Sequence, residues 1–187
     1  MLLACVTSQN GAKNLLWEEL TLDPRDLRDH KEAPKYLRVN PDFKPLKKGK
    51  LPKPLHRMGG GRVESTGLID VSASHVMAFL ARNGDVLTDR AFYAYLFVRL
   101  ADDSLSTLFE FHWHPSHKGF HCKTACRATT SYTDRLLVQA PELNMKTDFK
   151  LDPWSPSDRV KLINIVCRAC GVNLDADPEL HQDSLWK

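Results

Sequence analysis

The chain has 187 residues, 42% hydrophobic and 26% charged, an ordinary balance for a globular protein with one sizeable core. No apolar run approaches the roughly eighteen residues a spanning helix needs, so an integral helical membrane protein is excluded from the expectations. The net charge of +3 argues for no partner by itself, but its distribution is uneven. Residues 31–63 carry ten basic and two acidic side chains, whereas residues 1–30 sum to −2 and residues 64–187 to −3.

The first segment, Leu2 to Val6, reads as a short buried strand rather than a signal peptide, because no basic residues precede it and a polar turn follows at once. A turn at Asn10-Gly11 leads to a helix through Leu15, Leu16, Glu19 and Leu20, interrupted by Pro24, with Leu27 starting a further helical turn. Residues 31–63 hold five of the eleven prolines and end in Gly59-Gly60-Gly61, so the spacing predicts an irregular arm or long loop without a regular helix or central strand. From Leu68 to Val71 a strand is expected, followed by a helix. Ser72 or Ser74 would cap that helix, Val76, Met77, Phe79 and Leu80 would form its apolar face, and Gly84 would end it.

Residues 91–127 carry the clearest pattern, an antiparallel β-meander. Its strands are Ala91–Leu100, Leu105–His114 and Phe120–Arg127, separated by the turns Ala101–Ser104 and Pro115–Gly119. In the middle strand Phe109, Phe111 and Trp113 alternate with Glu110, His112 and His114, so aromatics face a core and the polar set faces away. A fourth strand is expected at Arg135–Gln139. The best helix spans residues 155–171, with Ser155 as N-cap, Pro156 at the first helical position, an apolar stripe through Val160, Ile163, Val166, Cys167 and Cys170, and Gly171 as terminator. Residues 172–187 form an acidic tail. The whole reads as a single α+β domain over residues 1–187, the meander sitting in a small mixed sheet with helices packed on one face.

Three groups of residues carry chemistry. The first is the polar strand face. Glu110, His112 and His114 recur about 7 Å apart along one strand. His117 lies in the next turn, His121 on the next strand, and Tyr93, Tyr95 and Arg99 share one parity on the preceding strand. Carboxylate, imidazoles and guanidinium together suit phosphodiester cleavage, with Glu110, His112, His114, His121 and Arg99 as the catalytic candidates. The same His-x-His with Glu110 suits a divalent metal, and a solvated sheet face is the bland alternative.

The second group is cysteine. Cys122, Cys126, Cys167 and Cys170 could together make a tetrahedral zinc site. Against this, strand positions four apart lie about 13 Å apart, and the helical pair falls on an apolar stripe where free cysteine packs as a small hydrophobe. The five cysteines and the absence of a secretory pattern fit reduced thiols in a cytoplasmic protein. No cofactor is called for, zinc or another divalent metal being the one the side chains would admit.

The third group is the basic arm. Lys44, Lys47, Lys48, Lys50, Lys53, Arg57 and Arg62 are spaced to neutralise phosphates of RNA or DNA, or to dock on an acidic protein partner. Gly59-Gly60-Gly61 lacks the Lys-Ser or Lys-Thr of a phosphate loop. The function expected is therefore nucleic-acid-associated binding through the arm. The alternatives are a small nuclease using the Glu/His face, and a protein–protein interaction module acting as an inhibitor or complex subunit.

Overall fold

A computed structural model describes Leu22 and residues 24–116, 120–125 and 150–174. It contains two α-helices, α1 (Pro24–Glu32) and α2 (Pro156–Ala169). Six strands form one sheet: β1 (Lys44–Pro45), β2 (Val63–Asp70), β3 (His75–Arg82), β4 (Ala91–Arg99), β5 (Leu105–Trp113) and β6 (Phe120–Thr124). They lie side by side in chain order and every pair is antiparallel. The fold is thus α+β, with a wider meander than the three-strand one expected and an antiparallel sheet throughout instead of a mixed one. No helix among the described residues is long and apolar enough to cross a membrane. The segments expected as a strand at residues 2–6, a helix around residues 15–20, a strand at residues 135–139 and an acidic tail lie outside the described residues, apart from the tail's first three positions.

The expected helix after Ser72 is a strand. Val76 through Ala81 are all fully buried, because β3 is covered on both faces, and a strand buried on both sides shows no alternation to reveal it. The serine signal was equally ambiguous. Ser72 Oγ accepts the N–H groups of Ser74 and His75, the same bonds an N-cap serine makes to the second and third residues of a helix, yet here they close a β-hairpin.

Two buried clusters lie on opposite parities of the sheet. The larger combines Met77, Phe79, Phe92, Ala94, Leu96, Phe109, Phe111 and Trp113 with Leu27 of α1 and with Leu162, Ile163, Val166 and Cys167 of α2. The smaller combines Val76, Ala78, Leu80, Tyr95 and Phe97 with Leu46, Leu51 and Leu55 from the proline-rich segment. That segment is irregular, with one two-residue strand and one turn of 3-10 helix at Leu55–Arg57, but its leucines pin it to the sheet. Backbone bonds from Leu46 to Val63, Gly49 to His56 and Gly60 to Leu46 fold it back on itself.

Helix α2 starts at Pro156 as expected, with Ser155 preceding it, although the Ser155 hydroxyl makes no capping bond and contacts Ser157 instead. Its Arg159 is nearly buried at 9% exposure. The guanidinium lies 4.5 Å from the Phe43 ring and 4.6 Å from the Trp154 ring, donates to Pro153 O and pairs with Glu64 of β2 at 2.9 Å. One side chain therefore ties α2, the proline-rich segment and β2 together.

The end of α2 approaches the end of α1 closely. Gly171 has φ +68°, and a Cβ there would fall 2.2 Å from the Lys31 carbonyl oxygen. Gly49 has a comparable φ of +77° but open space around it. Gly49→Ala is expected to cost about 1 kcal/mol, the left-handed conformation alone. Gly171→Ala is expected to cost more than about 3 kcal/mol, because backbone must move as well. Urea unfolding of the two variants checks this, and equal losses would show that the helix termini are not in contact.

Candidate functional site

The register of β4, β5 and β6 assembles the polar face in two rows. Tyr93 is paired with His112 and His112 with His121, while Tyr95 is paired with Glu110 and Glu110 with Lys123. Phe109, Phe111 and Trp113 point the other way into the large core, so the alternation along β5 is what sets the face. Four rings then meet edge-on: the Tyr93 centroid is 4.9 Å from His112 and 5.7 Å from His114, and the His114 centroid is 6.3 Å from both His112 and His121.

Glu110 Oε1 lies 2.6 Å from His112 Nε2 and 3.9 Å from Lys123 Nζ. The His112 contact is close but off the N–H direction, so it is an ion-pair geometry more than an aligned hydrogen bond. Burial pushes the Glu110 carboxyl up, but the close approach of His112 and the charge of Lys123 outweigh it and hold the group below its ordinary value. Burial raises both tyrosines, Tyr95 the more strongly because Glu110 adds to it, so both phenols keep their protons. The face thus presents an ionised carboxylate, three imidazoles, an ammonium and neutral phenols.

Arg99 does not join them. It lies four residues beyond Tyr95, about 13 Å along the strand, and pairs with Asp70 of β2. A shared parity placed it on the right face of β4, but not at the right height. His117 lies outside the described residues. The sequence reading omitted Lys123, which the pairing of Glu110 across β6 brings in.

Lys44, Lys47, Lys48, Lys50, Lys53, Arg57 and Arg62 of the proline-rich segment are all exposed. Lys44 pairs with Asp42 and Arg62 with Asp85, each at 3.0 Å. Lys47, Lys48 and Lys50 occupy a tight turn around Gly49, with Lys53 and Arg57 following. Beneath this turn lie Leu46, Leu51 and Leu55, packed with Tyr95 and, at the margin, Tyr93. Those two tyrosines also flank His112. The cluster beneath the basic turn and the Glu/His patch therefore share these two tyrosines on one face of the sheet.

Of the zinc candidates, Cys167 and Cys170 are fully buried in the large core and Cys122 is half-buried against it. Burial pushes Cys167 up to about 12 and raises the thiols of Cys122 and Cys170 well above the usual range, so all three are neutral. Cys126 lies outside the described residues. Among the described residues no group of three His, Cys, Asp or Glu side chains is arranged to hold a metal ion.

A second polar cluster was not legible in the sequence. Lys35 is fully buried, and its ammonium donates to the carbonyls of His30, Lys31 (3.0 Å) and Ala33 (2.7 Å), capping the end of α1. Beside it His75 Nε2 lies 3.0 Å from His30 Nδ1, and His75 Nδ1 lies 2.8 Å from Ser72 Oγ. Ser72 Oγ already accepts two backbone N–H groups, so its proton points to His75 Nδ1, and His75 Nε2–H donates to His30.

Compared with protein-family models, with curated proteins and with solved structures, the chain gives no match.

Burial, with the Lys35 charge and His30 adding to it, pushes His75 down from 6.5 to about 4. The unfolded chain takes up a proton near 6.5 that the folded chain refuses, so stability is intact above that pH and falls as the pH drops towards 4. The loss attributable to His75 over that window is about 3 kcal/mol. Urea midpoints between pH 7 and pH 4.5 should fall more steeply for the parent than for His75→Asn. Parallel curves would mean that the imidazole is not buried in this way.

Proposed function

We propose that the chain is a nucleic-acid-associated binding protein that uses the basic turn together with the adjoining aromatic and imidazole face. The single observation carrying this reading is that Tyr93 and Tyr95 serve both the core under Lys47, Lys48 and Lys50 and the patch around His112. Cations that can neutralise phosphates thereby share a face with the partly exposed rings of Tyr93, His112, His114 and His121, which can meet bases. In this reading the helices cover the opposite, Phe79–Trp113 face and take no direct part.

A pinned turn suits the role better than a free arm would. Leu46, Leu51 and Leu55 fix the position of the lysines before binding, so less conformational entropy is lost when phosphates are engaged. Lys44 and Arg62 are already paired with Asp42 and Asp85 and are expected to contribute less than the lysines of the turn.

Fluorescence anisotropy with labelled single-stranded RNA and DNA across a salt series tests the proposal. Replacing Lys47, Lys48 and Lys50 together by Ala should weaken binding at low salt and reduce the slope of log affinity against log salt by about 2. A slope unchanged by the triple substitution would remove the turn from the interface. Tighter binding to an acidic peptide than to either nucleic acid would transfer the surface to a protein partner.

A further inference from the structure

We propose that the same face cleaves RNA, with the Glu110–His112 pair taking the proton from a ribose 2′-hydroxyl and His121 giving a proton to the departing 5′-oxygen. The inference rests on the nucleic-acid reading above and adds an activity and a substrate class to it.

The chemistry asks for three things at one phosphorus: a base on one side, an acid on the other and positive charge near the non-bridging oxygens. The strand register provides them in one block. Glu110 and His112 sit 2.6 Å apart on β5, His121 is the cross-strand partner of His112 on β6, and Lys123 is the cross-strand partner of Glu110. His114 closes the block at 6.3 Å from both other imidazoles. Proton-accepting and proton-donating groups are therefore held on adjacent strands, directly across from one another.

RNA is favoured over DNA because of where the nucleophile is. A 2′-hydroxyl adjacent to its phosphorus reacts intramolecularly, at a high effective concentration, so a side-chain base is sufficient. The 2′-oxygen bonds to phosphorus as its proton passes to His112 in its neutral form, and the Glu110 carboxylate pairs with the imidazolium that results. The bond from phosphorus to the 5′-oxygen breaks and that oxygen takes the proton of His121. The products are a 2′,3′-cyclic phosphate and a free 5′-hydroxyl, and exchange with water restores both groups. Lys47, Lys48 and Lys50, on the turn beyond Tyr93 and Tyr95, would hold flanking phosphates of the same strand.

The test uses the full chain, a labelled single-stranded RNA and its all-deoxy counterpart, with EDTA present throughout. The expected result is cleavage of the RNA to 2′,3′-cyclic-phosphate ends with the DNA left whole. His112→Gln and His121→Gln should each lower the rate at least about 100-fold, a much larger factor than any weakening of DNA binding read by anisotropy on the same variants. RNA left whole by protein that still binds overturns the cleavage and leaves the binding proposal standing. Failure to bind as well as to cut overturns both. Cleavage of DNA at a similar rate, or cleavage by both variants at the parent rate, overturns the assignment of this site.

Discussion

The burial of β3 and β4 on both faces is the constraint from which the rest of the arrangement follows. A sheet in an α+β protein of this size commonly leaves one face to water. Here Val76, Ala78 and Leu80 are as deeply buried as Met77 and Phe79 on the other side. Something must cover them, and α1 and α2 contribute their buried residues to the opposite cluster. The proline-rich segment does it, through Leu46, Leu51 and Leu55. Its prolines leave it unable to form a long helix or central strand, so it lies across the sheet as pinned irregular chain with Lys44, Lys47, Lys48, Lys50 and Lys53 turned outward.

Burial at this level has polar consequences that the structure meets with cations. Covering the second face requires the segment around Phe43 to be held, and Arg159 holds it by sitting between two aromatic rings while pairing with Glu64. The end of α1 leaves helix carbonyls without helical partners, and Lys35 takes those of His30 and Lys31 together with the Ala33 carbonyl just beyond. Both cations are deep enough that removing a partner would strand a charge in a low-dielectric setting, which is far more costly than the pair is stabilising. They fix geometry more than they add stability.

Period-2 patterning was readable in β5, where one face of the strand differs from the other, whereas β2 was expected only from Leu68 although it begins at Val63. The alternation of Phe109, Phe111 and Trp113 with Glu110, His112 and His114 located β5, and the turn residues around it located β4 and the start of β6. Pro156 and Gly171 bounded α2 for the reasons of backbone conformation that apply to any helix. The reading failed at β3, where an unbroken apolar run has no period and Ser72 makes the same local bonds in a hairpin as at a helix start. Within the site, parity correctly grouped Tyr93 and Tyr95 with the histidines but could not give height along the strand, so Arg99 was grouped with residues it does not reach. Lys123, Lys35 and the His30–His75 contact depend on cross-strand register or on contacts distant in sequence, and no local pattern carries that information.

The position of the Glu/His patch follows from where the apolar cover ends. On the second face, β3 and β4 present Val76, Ala78, Leu80, Tyr95 and Phe97 to the leucines of the segment, whereas β5 and β6 present Glu110, His112, His121 and Lys123 at the matching register. Tyr93 and Tyr95 stand on the boundary, with rings that are apolar towards the leucines and edge-on to the imidazoles. At such a boundary a carboxylate is partly desolvated yet kept ionised by its neighbours, as Glu110 is. Fully in the core it would have to be neutral, and fully in water its neighbours would be screened. The boundary is thus the part of this sheet where charged and titratable groups can be held close together and remain chemically competent, and the apolar cluster beneath the cationic turn reaches it through Tyr93 and Tyr95.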